Sequence, residues 1–199
     1  WKLAGKLNTY MKIIYIHGAT ASERSFAFIQ QSIGSTDPIY LNYNKATTAE
    51  QNLIDMRKVL DTIQEPFAIV AHSLGGVYAT YIQNEYQTTG VVSLATPFGG
   101  SELATWGSIF NPHYQLFKDI SPSSSFIRNS KKIDIQCPWM QMVTTVGDVP
   151  WINGTNDGIV TRSSMMCRND VEYTEIDRNH YEIVLSQRVV DIIKNIVYK

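Results

Sequence analysis

The chain has 199 residues, 44% hydrophobic and 18% charged, with a formal net charge of −1. This is the composition of one globular domain with a sizeable core, and it excludes a disordered chain. Lys and Arg are scattered and form no footprint for nucleic acid. No apolar run approaches the roughly 18 residues that a membrane span requires.

Residues 1–10 begin at Trp1 and precede "MKIIYIHG". They read as an N-terminal extension or fusion remnant, and 11–199 as a single domain. A native start at Met11 implies a cytoplasmic protein; a removed signal peptide implies a secreted one. Lys12–Ile16 is a short apolar run ending in His17-Gly18, which predicts a strand. Phe26, Ile29 and Ile33 recur at helical spacing over 22–33. Pro38–Tyr43 is β-like. Thr48 opens a capping-box pattern with Gln51. The helix it starts is expected to carry Leu53, Met56, Val59, Leu60 and Ile63 on one face.

Phe67–Ala71 predicts a buried strand, 74–86 a helix, and Val91–Ala95 another strand. Trp139–Thr145 and Val171–Ile176 predict two more. In 181–198, Val184, Leu185, Val189, Ile192, Ile193 and Ile196 fall on one helical face. Short apolar strands alternating with helices imply an α/β fold. The expected sheet has about six mostly parallel strands, with helices on both faces.

The segment 101–138 interrupts this alternation. It holds Trp106, Phe110, Phe117 and Phe126 among Asn, Pro and Ser. It reads either as a surface excursion with its own small core or as a cap. As a cap, those four aromatics would wall a substrate pocket outside the carboxyl ends of the strands. Cys137 and Cys167 read as reduced thiols, with a disulfide left open. Neither has neighbours at metal-ligand spacing, and no cofactor is expected.

The stretch "AIVAHSLGG" sets Ser73 between a predicted strand and a predicted helix. A nucleophile elbow needs that context, with small residues two positions to either side. Here these are Ala71 and Gly75; Ala71 stands where the usual pattern has glycine. The other reading is a helix N-cap serine. A serine nucleophile needs a base. His180 lies in a loop after the last strand and is the candidate. His17 and His72 read as structural, with His72 expected to point away from Ser73, and His113 reads as a surface residue. Asp157, in "NDGIV", is the candidate acid, preferred to Asp148. Backbone N–H donors for an oxyanion are expected from Leu74, directly after Ser73, and from Ala19 after Gly18, with Thr20 the alternative.

The motifs "IYIHGATAS", "AHSLGG", "NDGIV" and "NHYEI", in this order, resemble the α/β-hydrolase superfamily and its small lipases and esterases. "AHSLGG" is similar to the Ala-x-Ser-x-Gly variant of minimal bacterial lipases. "ATPFGGS" and "DISPSSSFI" resemble segments of larger lipase-like acyl hydrolases. The resemblance supports a Ser73–Asp157–His180 triad acting on a small-molecule or lipid ester, and a monomer is expected. The same triad serves thioesterases, amidases and acyltransferases, and a non-catalytic ligand-binding homologue is the rival from another class.

Overall fold

Strands β1 (Lys12–Ile16), β2 (Ile39–Tyr40), β3 (Phe67–His72), β4 (Thr88–Leu94), β5 (Trp139–Thr144) and β6 (Glu172–Ile176) form one sheet. The computed structural model describes residues 11–34, 37–104 and 113–198. The strand order is β2-β1-β3-β4-β5-β6, and every neighbouring pair is parallel. The expected α/β fold with a six-stranded sheet is therefore present. Between β1 and β3 the winding reverses direction. A crevice opens at such a point, outside the carboxyl ends of the strands.

Alternate residues of the strands face opposite ways, and each set has its own helices. Ile14, Ile16, Ile69, Ala71 and Val91 pack with α2 (Ala49–Leu60) and α3 (Leu74–Ile82). Ile13, Tyr15, Ala68, Val70, Val92 and Leu94 pack with α1 (Ala27–Ile33) and α7 (Gln187–Val197). Burial on both faces explains why β1 and β3 read as unbroken apolar runs.

Local signals set most boundaries. Gly34 closes α1 in the left-handed conformation at φ +76°. Thr48 Oγ1 accepts from the Gln51 N–H and starts α2. Four expectations need correction. The β-like stretch Pro38–Tyr43 pairs only over Ile39–Tyr40, because β2 is an edge strand and Tyr43 turns inward to pack on His17. Helix α3 ends at Ile82, short of residue 86. On α2, Val59 is 41% exposed, because the apolar stripe narrows to Leu53, Met56 and Leu60. The stretch 181–198 is a 3₁₀ turn at Glu182–Leu185, a break at Ser186, and then α7. That break rotates Leu185 out to 60% exposure.

Between β4 and β5 lie α4 (Gln115–Asp119) and α5 (Ser125–Ser130). This segment is tied to the start of α2. The Asp119 carboxylate accepts from the Ala49 N–H at 2.8 Å, and the Leu116 N–H donates to the Lys45 carbonyl at 3.3 Å. After β5, the short helix α6 (Arg162–Met165) precedes β6. No helix of the described residues is long and apolar enough to cross a membrane.

Candidate active site

The site begins with backbone geometry. Ser73 joins β3 to α3 at φ +52°, ψ −123°, in a region that non-glycine residues rarely occupy and that costs about 1–3 kcal/mol. The Ser73 N–H holds the turn by donating to the Leu94 carbonyl at 2.8 Å. The small residues after it have a steric reason. A Cβ on Gly75 would lie 2.0 Å from the Ile16 carbonyl oxygen, and one on Gly76 would lie 1.9 Å from Thr96 Oγ1. Ala71 is fully buried within β3, where its methyl packs in the core.

The turn brings Ser73 to His180. His180 Nε2 lies 3.0 Å from Ser73 Oγ, and Nδ1 lies 2.8 Å from Asp157 Oδ2. A carboxylate only accepts, so the proton sits on Nδ1, and Nε2 is left to accept from the serine hydroxyl. Asp157 follows a turn built by Asn156, whose buried side-chain amide bonds to Val149, Gly154 and Gly158. Asp157 Oδ1 accepts from the N–H groups of Ile159 and Val160, and Oδ2 also accepts from Thr144 Oγ1. Burial alone would raise this carboxyl. The bonds from His180, Thr144 and Val160 outweigh it and hold the group below its ordinary value, so it is ionised. The competing aspartate, Asp148, lies elsewhere and accepts from the Asn156 N–H.

Of the remaining histidines, His113 is exposed and His17 is structural, as expected, whereas His72 does not point away from Ser73. His17 is buried and bonds through Nδ1 to the Gly18 carbonyl. His72 lines the same cavity as Ser73, and its Nε2 donates to the His180 carbonyl at 2.8 Å. It therefore braces the backbone of the histidine beside the serine. Burial, and next the nearby His180, push the His72 pKa down to about 3, so its ring is neutral. Thr144 and the His72–His180 bond are absent from the sequence reading. Thr144 could have been found as the last residue of β5, where a side chain can face the next loop.

A cavity of about 130 Å³ opens over Ser73 and His180. Its wall includes Ala19, Leu103, Phe117, Ile120, Ile159 and Tyr181. Phe117 is thus at the expected wall. Phe126 is not: it is buried against Tyr78 and stacks on Tyr81 at 4.8 Å, because α5 packs on α3 rather than over the serine. Trp106 and Phe110 lie outside the described residues. Leu74 is the first residue of α3, so its N–H belongs to the turn that lacks intrahelical acceptors. Ala19 lines the cavity next to Gly18, whose absent Cβ would meet the Ser73 Cβ at 3.1 Å. Among the described residues no group of three or more His, Cys, Asp and Glu could hold a metal ion. Cys137 and Cys167 are free thiols.

A family profile described as an uncharacterised protein family (UPF0227) matches residues 12–97, from β1 to just past β4. No curated protein matches the chain in sequence. Solved structures do match in shape. The mature form of Bacillus licheniformis lipase BlEst2 superposes with a TM-score of 0.74 at 14% identity, over 94% of this chain and 92% of that one. The metagenomic carboxyl esterase MGS0156 gives 0.72 at 14% identity, over 90% and 71%. The monoacylglycerol lipase of Paleococcus ferrophilus gives 0.62 at 12% identity, over 94% of each. Together with the parallel six-stranded sheet, these likenesses establish that the chain has the α/β-hydrolase fold.

Proposed function

We propose that this protein is a serine ester hydrolase that works through an acyl-enzyme intermediate. One observation carries the reading: His180 lies within hydrogen-bond distance of both Ser73 Oγ and the Asp157 carboxylate, with Ser73 on a strained turn. His180 Nε2 takes the Ser73 proton as Oγ attacks an ester carbonyl. Asp157 stays ionised, holds the Nδ1–H tautomer and stabilises the imidazolium. The N–H groups of Leu74 and Ala19 bind the tetrahedral oxyanion. His180 then protonates the departing alcohol. A water molecule then gives its proton to Nε2 as it attacks the acyl carbonyl, and His180 returns that proton to Ser73 Oγ as the acid leaves.

The cavity supports an apolar substrate. Ala19, Leu103, Phe117, Ile120 and Ile159 present hydrocarbon, with no Lys or Arg among the described residues of the lining. Its volume approaches the roughly 150 Å³ that admits a benzene-sized ligand, which suits an aryl group or short acyl chain. The segment 101–138 acts as the cap of a single domain, with Phe117 and Ile120 on its inner side. The neighbours in shape named as lipases and a carboxyl esterase favour esters over amides.

The test is hydrolysis of p-nitrophenyl esters of increasing acyl length. The wild-type protein is expected to turn them over, and Ser73→Ala to lose that activity with its circular dichroism unchanged. Full activity in Ser73→Ala refutes the reading.

A further inference from the structure

The mechanism needs two N–H groups held in fixed directions, and one of them is held indirectly. Gly18 and Ala19 share a peptide unit. In a planar trans unit the C=O and N–H point opposite ways. Whatever fixes the Gly18 carbonyl therefore fixes the Ala19 N–H. Two donors reach that carbonyl: His17 Nδ1 at 2.8 Å and the Ala21 N–H at 3.1 Å.

His17 is itself clamped, from a distant part of the sequence. Tyr43, in the loop between β2 and α2, stacks on the His17 ring with centroids 4.4 Å apart and planes 23° apart. Its hydroxyl donates to the His17 carbonyl at 3.1 Å. One side chain thus holds both the ring and the backbone of the residue that pins Gly18. Burial lowers the His17 pKa, so the ring is neutral and its Nδ1–H faces the carbonyl.

Tyr43 also touches the helix that carries the second N–H. Its ring lies 5.0 Å from that of Tyr78, four residues after Leu74 and on the same face of α3. The Tyr78 hydroxyl accepts from Asn52 Nδ2. Asn52 also exchanges two hydrogen bonds with the backbone of Asn44, the residue after Tyr43. The loop bearing Tyr43 is therefore anchored to α2 while its ring is wedged between His17 and α3.

We propose that Tyr43 is a positioning residue for the oxyanion hole, aiming the Ala19 N–H through His17 and Gly18 against the helix that carries the Leu74 N–H. The inference rests on the reading of Ser73 as the nucleophile. Tyr43 touches no reacting atom, so its removal should blur the direction of one donor without emptying the cavity of substrate. Losing a whole oxyanion donor costs about 10²–10³ in kcat, so loosening one should cost about tenfold.

The experiment compares wild type, Tyr43→Phe, Tyr43→Leu and Ser73→Ala on a p-nitrophenyl ester and its thiono analogue, in which sulfur replaces the carbonyl oxygen. Active sites are counted by fluorophosphonate titration, below the unfolding temperature of each variant. Tyr43→Phe keeps the stacking and loses the bond to His17; it should lower kcat about tenfold with KM within about twofold, and Tyr43→Leu should lower it further. The rate advantage of oxygen over sulfur should shrink in both, because a loosened hole selects less sharply for the smaller, stronger acceptor. Unchanged kcat and unchanged oxygen-to-sulfur ratio in both variants would overturn the proposal. So would losses confined to KM or to the number of titrated sites, since ordinary packing explains those. Wild-type hydrolysis by Ser73→Ala would instead overturn the underlying reading, whatever the Tyr43 variants do.

Discussion

Replacing Gly75 with alanine probes the contact that seats the turn at Ser73. Gly75 is the second residue of α3. A Cβ there would lie 2.0 Å from the Ile16 carbonyl oxygen, 2.7 Å from its carbon and 2.9 Å from the His17 oxygen. All three are backbone atoms and cannot swing aside. Real Cβ contacts essentially never fall below 3.0 Å, so α3 and β1 must part by about 1.0 Å. Strand β1 is bound on both sides, by β2 and β3, so the helix is what moves. Ser73 Oγ and the Leu74 N–H move with it. The 3.0 Å separation of Ser73 and His180 then approaches about 4 Å, too long for a hydrogen bond. A misplacement of about 1 Å costs about 100-fold in rate, and overpacking costs about 1–3 kcal/mol of stability. The assay pairs kcat on a p-nitrophenyl ester with urea unfolding. Gly34→Ala is the control: it has φ +76° and open space around it, so it should lose about 1–3 kcal/mol to backbone strain and no rate. Wild-type rate and stability in Gly75→Ala would refute the steric argument.

Asp157→Asn should lower kcat by about 10⁴-fold, because an amide no longer fixes the histidine tautomer or stabilises the imidazolium. Asp148→Asn keeps an acceptor for the Asn156 N–H and should cost far less; a larger loss there would show that the acid is misassigned. Stability should also fall in mild acid. His72 is pushed down to about 3 from an ordinary 6.5, so between these values the unfolded chain binds a proton that the folded chain refuses, and stability rises with pH. Urea unfolding from pH 7.5 down to 4.5 should show that slope, and His72→Gln should flatten it. An identical slope in the variant would rule out His72 as its source.

The parts that read well from sequence were those where local pattern and tertiary burial agree. Strand β1 is legible at its observed bounds and β3 to within a residue, because burial on both faces forces continuous apolar runs. Ser73 and His180 stand out as candidates because each closely follows a strand end, and Asp157 because the turn formers of "NDGIV" surround it. Periodicity cannot show a break such as Ser186, so the pattern sets Leu185 on a buried face that the 3₁₀ turn rotates away. Nor can it show which side of the sheet an aromatic joins. Phe117 and Phe126 look alike in the chain, yet one lines the cavity and the other packs on Tyr81. Tyr43 carries no local mark at all. Its partner, His17, lies 26 positions away, and only the return of the chain from β2 brings them together.

The proposed function stands or falls on Ser73 as the nucleophile. The most direct measurement is mass spectrometry of the protein after treatment with a fluorophosphonate. One phosphonyl adduct per chain is expected, on the peptide bearing Ser73, and its loss in His180→Ala. No adduct on the wild-type protein, or a stoichiometric adduct on Ser101, which also lines the cavity, would contradict it.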